Sequence, residues 1–249
     1  MALQLDLTKS AEKLRLDLTK ATGREPPEAE VCFDLDVSGS YIDMHMSGVT
    51  TKLMSRLIPW GMVFDPDQKL DVYTFSGGPA HYVGEITAAN REDYVQRNIV
   101  RKVPNWDGGT IYVPVIRSNL ERFGWIAQQG GVAKSGLFGR IFGRAGNVVE
   151  PVKRRSLVLF NTDGENRDKG ATERLLQEMQ DNEYRVYIQF IAVCQSGSDF
   201  SFLERMADKF RNCGLVIIED IYTWVDLSDD AINQQFITDE LVEWMRQAV

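Results

Sequence analysis

The sequence predicts an α/β fold: a doubly wound, mostly parallel central sheet of about six strands flanked by helices. Two observations predict it. Short apolar runs recur without polar alternation, as in strands covered on both faces. Between them lie stretches of about 10–15 residues with helical apolar spacing, which implies crossover connections between parallel strands. A third observation locates the ligand side. The runs end in polar residues, and such sheets bind ligands outside the carboxyl ends of the strands, where strand order reverses.

Composition supports a globular chain. The 249 residues are 43% hydrophobic and 26% charged, enough apolar surface for a core. No run approaches the roughly 18 apolar residues of a membrane span. The first 20 residues alternate Leu with Lys and Asp and hold no apolar core of a secretory signal. Three cysteines, Cys32, Cys194 and Cys213, lie in or beside apolar runs, which reads as buried thiols in a reducing compartment. A net charge of −8 argues against broad nucleic-acid binding.

The elements follow in order. Residues 1–28 form an N-terminal arm and linker ahead of a domain over 29–249. Leu-Asp-Leu-Thr-Lys stands at 5–9 and again at 16–20. That offset fits a helical repeat or two short strands, and we read an edge hairpin or a docked arm. Residues 31–36 form a buried strand. Residues 44–58 form an amphipathic helix, with Val49, Leu53 and Leu57 at i, i+4, i+8. Strands follow at 70–75 and 82–86, then a helix over 92–100. The turn Asp107-Gly108-Gly109 leads into a helix over 111–123. Residues 156–160 are a strand and 172–180 a helix with Leu175, Leu176 and Met179 on one face. A strand over 187–193 precedes a helix over 201–210. Ser201 and Glu204 read as a capping box for that helix, and Gly214 as its stop. The last strand is 215–218. A closing helix over 238–247 carries Asp239 and Glu240 in its first turn, where the helix dipole favours acids.

One stretch breaks the pattern. Residues 126–152 are rich in glycine and carry Lys134, Arg140 and Arg144. Over 117–155 there are eight basic and two acidic residues, whereas 219–249 holds eight acidic and one basic. The first reads as a surface insertion, either a solvated loop or an anionic-partner contact through Lys134, Arg140 and Arg144.

Three polar clusters fall at strand ends or helix starts: Asp36-Val37-Ser38-Gly39-Ser40, Asp107-Gly108-Gly109-Thr110 and Thr162-Asp163-Gly164. Singly, each is ordinary turn and cap chemistry. Together they offer Asp36, Ser38, Ser40, Thr110 and Asp163. Hydroxyl and carboxylate oxygens are hard donors, suited to Mg²⁺, Mn²⁺ or Ca²⁺ rather than zinc. Only two of the five are anionic, so a divalent ion held there stays electropositive. It also keeps open positions that an Asp or Glu carboxylate of a protein partner can fill.

Asp36-x-Ser38-x-Ser40 with Thr110 and Asp163 resembles the metal-ion-dependent adhesion site of von Willebrand factor A (VWA) domains. The stretches Gly108-Gly109-Thr110-Ile111-Tyr112-Val113-Pro114 and Leu159-Phe160-Asn161-Thr162-Asp163-Gly164-Glu165-Asn166 are similar to the bacterial tellurium-resistance (TerF-like) branch of that family. The resemblance covers residues 1–125 and 153–249. It implies that Ser38, Ser40 and Thr110 bind the ion directly, while Asp36 and Asp163 act through water or hydrogen bonds. It also implies a cytoplasmic scaffold in stress response or defence, a binding module and not an enzyme.

Two rival readings exist. Phe33-Asp34-Leu35-Asp36-Val37-Ser38 also resembles the first motif of haloacid-dehalogenase-type phosphatases, where Asp34 would be nucleophile and Asp36 acid/base around Mg²⁺. That reading needs a late acidic pair, Glu219-Asp220 or Asp229-Asp230, and a lysine, for which Lys153 is poorly placed. It leaves Gly-Gly-Thr without a role. The other rival is a structural VWA protein with an empty metal site. His45 and His81 read as packing or surface residues, and Trp106 as a shield for the rim of the site.

Overall fold

The computed structural model describes residues 6–127, 153–164 and 166–247. Its centre is a six-stranded sheet in the order β3-β2-β1-β4-β5-β6. The strands are β1 (Glu30–Asp36), β2 (Leu70–Phe75), β3 (His81–Ile86), β4 (Ser156–Thr162), β5 (Val186–Val193) and β6 (Cys213–Ile218). All pairs are parallel except β2 with β3. Every residue of β2, β4 and β5 is buried, which is why these strands read as unbroken apolar runs. From β1 the chain winds one way to β2 and β3, then returns to β4 and continues the other way. The reversal lies between β1 and β4, where Leu35 pairs with Asn161. The carboxyl ends of those two strands are therefore the expected ligand position.

Helices cover both faces. On one side lie α1 (Leu7–Thr22), α2 (Ile42–Met46), α3 (Val49–Phe64), α4 (Tyr94–Asn98), α8 (Ile221–Trp224), α9 (Asp229–Phe236) and α10 (Asp239–Arg246). On the other lie α5 (Val113–Arg122), α6 (Lys169–Asp181) and α7 (Ser201–Lys209). Trp60, Phe64, Phe236 and Trp244 pack ring on ring in the first layer. Phe75, Tyr112, Phe160 and Phe190 do so in the second. Rings at such separations bury large apolar area with directional contacts.

The structure revises four sequence expectations. Of the two readings of the arm, the docked one holds and the edge hairpin does not: residues 7–22 are the helix α1, packed on α3. Eleven residues are close to three helical turns, so Leu7 and Leu18 fall on one face with Leu14, all buried. That face lies on α3, and Ser10, Asp17 and Ala21 bond to Asp229, Asn233 and Arg246. The helix expected over 44–58 is split, because Gly48 takes a left-handed φ of 80° between α2 and α3. The helix then runs on through Pro59 to Phe64. No capping box starts α7. Asp199 accepts from the Ser201 backbone N–H at 2.9 Å instead, and Gly214 lies within β6 rather than past a helix end. The short helices α8 and α9 have no counterpart in the sequence reading. The glycine-rich stretch with Lys134, Arg140 and Arg144 lies outside the described residues from 128 onwards.

Because Leu18 is fully buried on α1, Leu18→Ala is expected to lower unfolding stability by about 2–5 kcal/mol. Urea unfolding checks this. A loss near zero would mean that α1 is not part of the cooperative core.

Candidate metal centre

Asp36 ends β1 and is fully buried. Its Oδ1 accepts from the Ser38 backbone N–H at 2.8 Å, an Asx turn that stops the strand and turns the Ser38 side chain upward. Its Oδ2 accepts from Thr162 Oγ1 at 2.9 Å. Thr162 has one proton to give, so Tyr112, with its hydroxyl 2.9 Å from Thr162 Oγ1, is the donor there. Tyr112, Thr162 and Asp36 thus form a hydroxyl relay beneath the site. The carbonyl of Asp36 accepts from His45 Nε2 at 2.8 Å. A carbonyl cannot donate, so Nε2 carries the proton and Nδ1 accepts from Thr50 Oγ1 at 3.1 Å. Burial lowers the His45 pKa to about 4, so the ring is neutral. His45 is a packed support residue, flanked by Tyr41 and Trp106. Trp106, read as a shield for the rim, packs on the His45 ring and does not line the cleft.

Ser38 and Ser40 stand with their hydroxyl oxygens 3.3 Å apart, Ser38 buried and Ser40 exposed. The loop after α4 is pressed against this turn. Asp107 N–H donates to the Val37 carbonyl and Gly39 N–H to the Gly108 carbonyl, each at 3.0 Å. The approach needs glycine at 108, where a Cβ would lie 2.9 Å from Ser76 Oγ and 3.0 Å from the Asn105 carbonyl. Asn105 and Asp107 take left-handed φ values of 59° and 65°, a conformation these two residue types tolerate best after glycine. The same loop delivers Thr110, 7% exposed.

The loop after β4 closes the arrangement. Asp163 is buried, and Gln195 Nε2 donates to its Oδ2 at 3.0 Å and to the Ser40 carbonyl at 2.8 Å. Arg167 N–H donates to the Thr110 carbonyl at 2.9 Å. The Asp168 carboxylate accepts from the Tyr112 and Val113 backbone N–H groups at 2.9–3.2 Å, satisfying orphan donors at the start of α5. Thr162, Tyr112, Asp168 and Gln195 are thus supporting residues that the sequence reading did not assign, and His45 is the packing residue it expected.

The five expected site residues converge. Ser38, Ser40 and Thr110 line a cleft of about 380 Å³, together with Arg167 and Lys169. Asp36 and Asp163 lie below it, close enough to repel: burial first, and the Asp163 charge second, push the Asp36 pKa up to about 7. Among the described residues no three His, Cys, Asp or Glu side chains form a metal-holding group. A cation here would be held by three hydroxyls over two carboxylates. That donor set fits a hard divalent ion.

Asp34, Asp220, Asp229, Asp230 and Lys153, which a phosphatase would draw on, have other work. Asp34 is fully buried within β1, and Asn119 Nδ2 donates to it at 2.6 Å. Burial raises its pKa to about 8. Asp220 caps α8, Asp229 accepts from Ser10 and pairs with Arg56, and Asp230 pairs with Lys13. Lys153 lies over the Trp125 ring.

A protein-family model described as vWA-TerF-like, a vWA found in the TerF C terminus, matches residues 28–249. Solved structures of proximal thread matrix protein 1 from the mussel byssus also match. One crystal form gives a TM-score of 0.48 at 14% identity, covering 84% of this chain and 49% of that one. A second structure, and a third described as having a zinc-occupied MIDAS motif, each give 0.47 at 15% identity, with 84% and 48% covered. The chain thus spans about half the length of these proteins. No curated protein matches.

The hydroxyl relay has a stability consequence. Thr162→Val keeps the side chain's shape but leaves Tyr112 and Asp36 each short of a partner. It is expected to cost about 1–3 kcal/mol, and Thr162→Ser to recover most of that. Denaturant unfolding in chelator decides it, and equal stability of the Val and Ser variants would remove the relay from the account.

Proposed function

The chain belongs to the vWA-TerF-like family, and from that premise we propose that it binds a protein partner through a divalent cation at the carboxyl end of its sheet. The observation that supports this best is the convergence of the Ser38, Ser40 and Thr110 side chains on one cleft, above buried Asp36 and Asp163.

In this reading the three hydroxyls hold the ion, and Mg²⁺, Mn²⁺ or Ca²⁺ suits them. When bound, the cation supplies an electrophilic position for an Asp or Glu carboxylate of the partner. The chain's own residues prepare that position. Asp36 fixes Ser38 through its backbone N–H. Gln195 joins the Ser40 turn to Asp163. Arg167 and Lys169 on the wall of the cleft favour an anionic partner and disfavour a basic one. We assign no catalytic step, since the Asp34 carboxylate that a phosphatase would need is sealed inside the sheet. The family's association with tellurium resistance leads us to place the chain as a scaffold in a chemical-stress or defence response in the cytoplasm.

Calorimetric titration of Mg²⁺, Mn²⁺ and Ca²⁺ into chelator-stripped protein tests the reading. One-site binding is expected, abolished in Asp163→Ala and Asp36→Ala and retained in Asp34→Asn. Capture of a partner should then be lost in chelator. Absence of binding at millimolar metal, with and without added glutamate, would overturn it in favour of an empty site. Loss of binding in Asp34→Asn, with its fold intact, would reopen the phosphatase assignment.

The relay would also bear on metal affinity, because it holds Asp36 and Asp36 fixes the Ser38 turn. Groups that orient metal ligands commonly contribute tenfold or more to affinity. Thr162→Val is therefore expected to weaken metal binding about tenfold in the same titration.

A further inference from the structure

A second and larger cavity, about 610 Å³, opens at the other end of the sheet. It lies where β4, β5 and β6 begin: Arg155, Arg185 and Asn212 each immediately precede one of those strands and line it. Its volume is within the range of small-molecule sites, roughly 300–1,000 Å³. The metal cleft and this cavity share no lining residue.

The charge of the cavity is one-sided. Among the described residues, Lys153, Arg155, Arg185 and Arg211 line it, against Glu183 alone. Among the described residues none of these four cations pairs with a carboxylate, although the chain as a whole carries an excess of acid. Arg155 is held rigidly. Its guanidinium lies 5.3 Å from the Trp244 ring centre and donates to the Gln247 carbonyl at 2.7 Å and the Met245 carbonyl at 3.4 Å. Burial and then the charges of Arg185 and Arg24 oppose its protonated form. The Lys153 ammonium lies 5.8 Å from the Trp125 ring centre. The Trp125 and Trp244 rings therefore already carry cations, which leaves charge rather than ring stacking to select a ligand. Arginine guanidinium groups match phosphate oxygens in pairs.

We propose that this cavity binds a polyphosphate-type anion, a run of two or three phosphoryl groups, either free or carried on a nucleotide. The anion lies among Arg155, Arg185, Arg211 and Lys153 and offsets the repulsion between them. The site is independent of the metal cleft.

The test is calorimetric titration of sodium tripolyphosphate and of ATP into the full chain, in chelator and at physiological salt. Chelator keeps the anions from being bridged by a metal. Saturable one-site binding is expected. Equal affinity for the two probes assigns recognition to the phosphates alone, and tighter ATP binding assigns the source as a nucleotide. Arg185→Glu with Arg211→Glu is expected to weaken binding at least tenfold. The charge-matched pair Lys52→Glu with Lys102→Glu, whose side chains do not line the cavity, is expected to weaken it less than threefold. Asp163→Ala is expected to leave it unchanged. If the charge-reversed pair does not fold, Arg185→Gln with Arg211→Gln replaces it, with the same direction expected. No saturable binding of either probe, or equal losses in the two charge-reversed pairs, would overturn the proposal.

Discussion

A carboxylate buried at the point where the sheet reverses direction organises this molecule's functional end. Asp36 has no exposed surface and ends β1 beside β4. A buried charge left alone is costly, so its oxygens must be matched by donors. The donors come from two separate places: the turn that follows it, through Ser38, and the end of β4, through Thr162. Satisfying Asp36 therefore forms the Ser38 turn and ties the end of β4 to it. Tyr112 extends the tie to the start of α5 through Thr162. The three loops of the cleft are held together by one hydrogen-bonded chain rather than by three separate features.

Much of this was legible in the sequence, and the division follows from range. Buried parallel strands announce themselves as unbroken apolar runs, so the strands were visible. The cluster Asp36, Ser38 and Ser40 was visible because its three residues share one turn, and Gly108 and Gly109 marked a close backbone approach. What stayed hidden is long-range pairing. Thr162 meets Asp36 across 126 residues, and Asp168 meets Tyr112 across 56. Neither pairing leaves a period or a spacing behind. The N-terminal repeat leaves helix and strand both open for a related reason. An 11-residue offset suits a helix, but it becomes decisive only once α3 and α10 are in place to cover the Leu7, Leu14 and Leu18 face.

The acidic tail shows why net charge by segment is a poor guide to partners. Residues 219–249 carry eight acids and one base, yet several of these acids are occupied within the fold. Asp220 caps α8, Asp229 holds Ser10 and Arg56, and Asp239 and Glu240 sit in the first turn of α10. Asp229 fastens α9 to α1 and α3. At the amino ends of β4, β5 and β6, Arg154 pairs with Glu30, whereas Lys153, Arg155, Arg185 and Arg211 make no such ion pairs among the described residues. A charged group that the fold already matches has little left to offer a ligand, whereas an unmatched cluster does.

The chemistry of the cleft follows from the same reasoning. A site built of many carboxylates neutralises its own cation. Here two carboxylates lie below three hydroxyls, and Arg167 and Lys169 stand on the wall. The Arg167 backbone is bonded to Thr110, and its guanidinium lies against Gly109, where a side chain would stand 2.9 Å from Cζ. The glycine pair thus serves two ends. Gly108 lets the backbone close on Ser76 and Asn105 so that Thr110 reaches the cleft, and Gly109 leaves room for a positive charge beside it. Both arrangements raise the potential of the open face rather than lower it. For such a face the natural complement is a negatively charged group brought by another molecule, because among the described residues that line the cleft none carries a carboxylate.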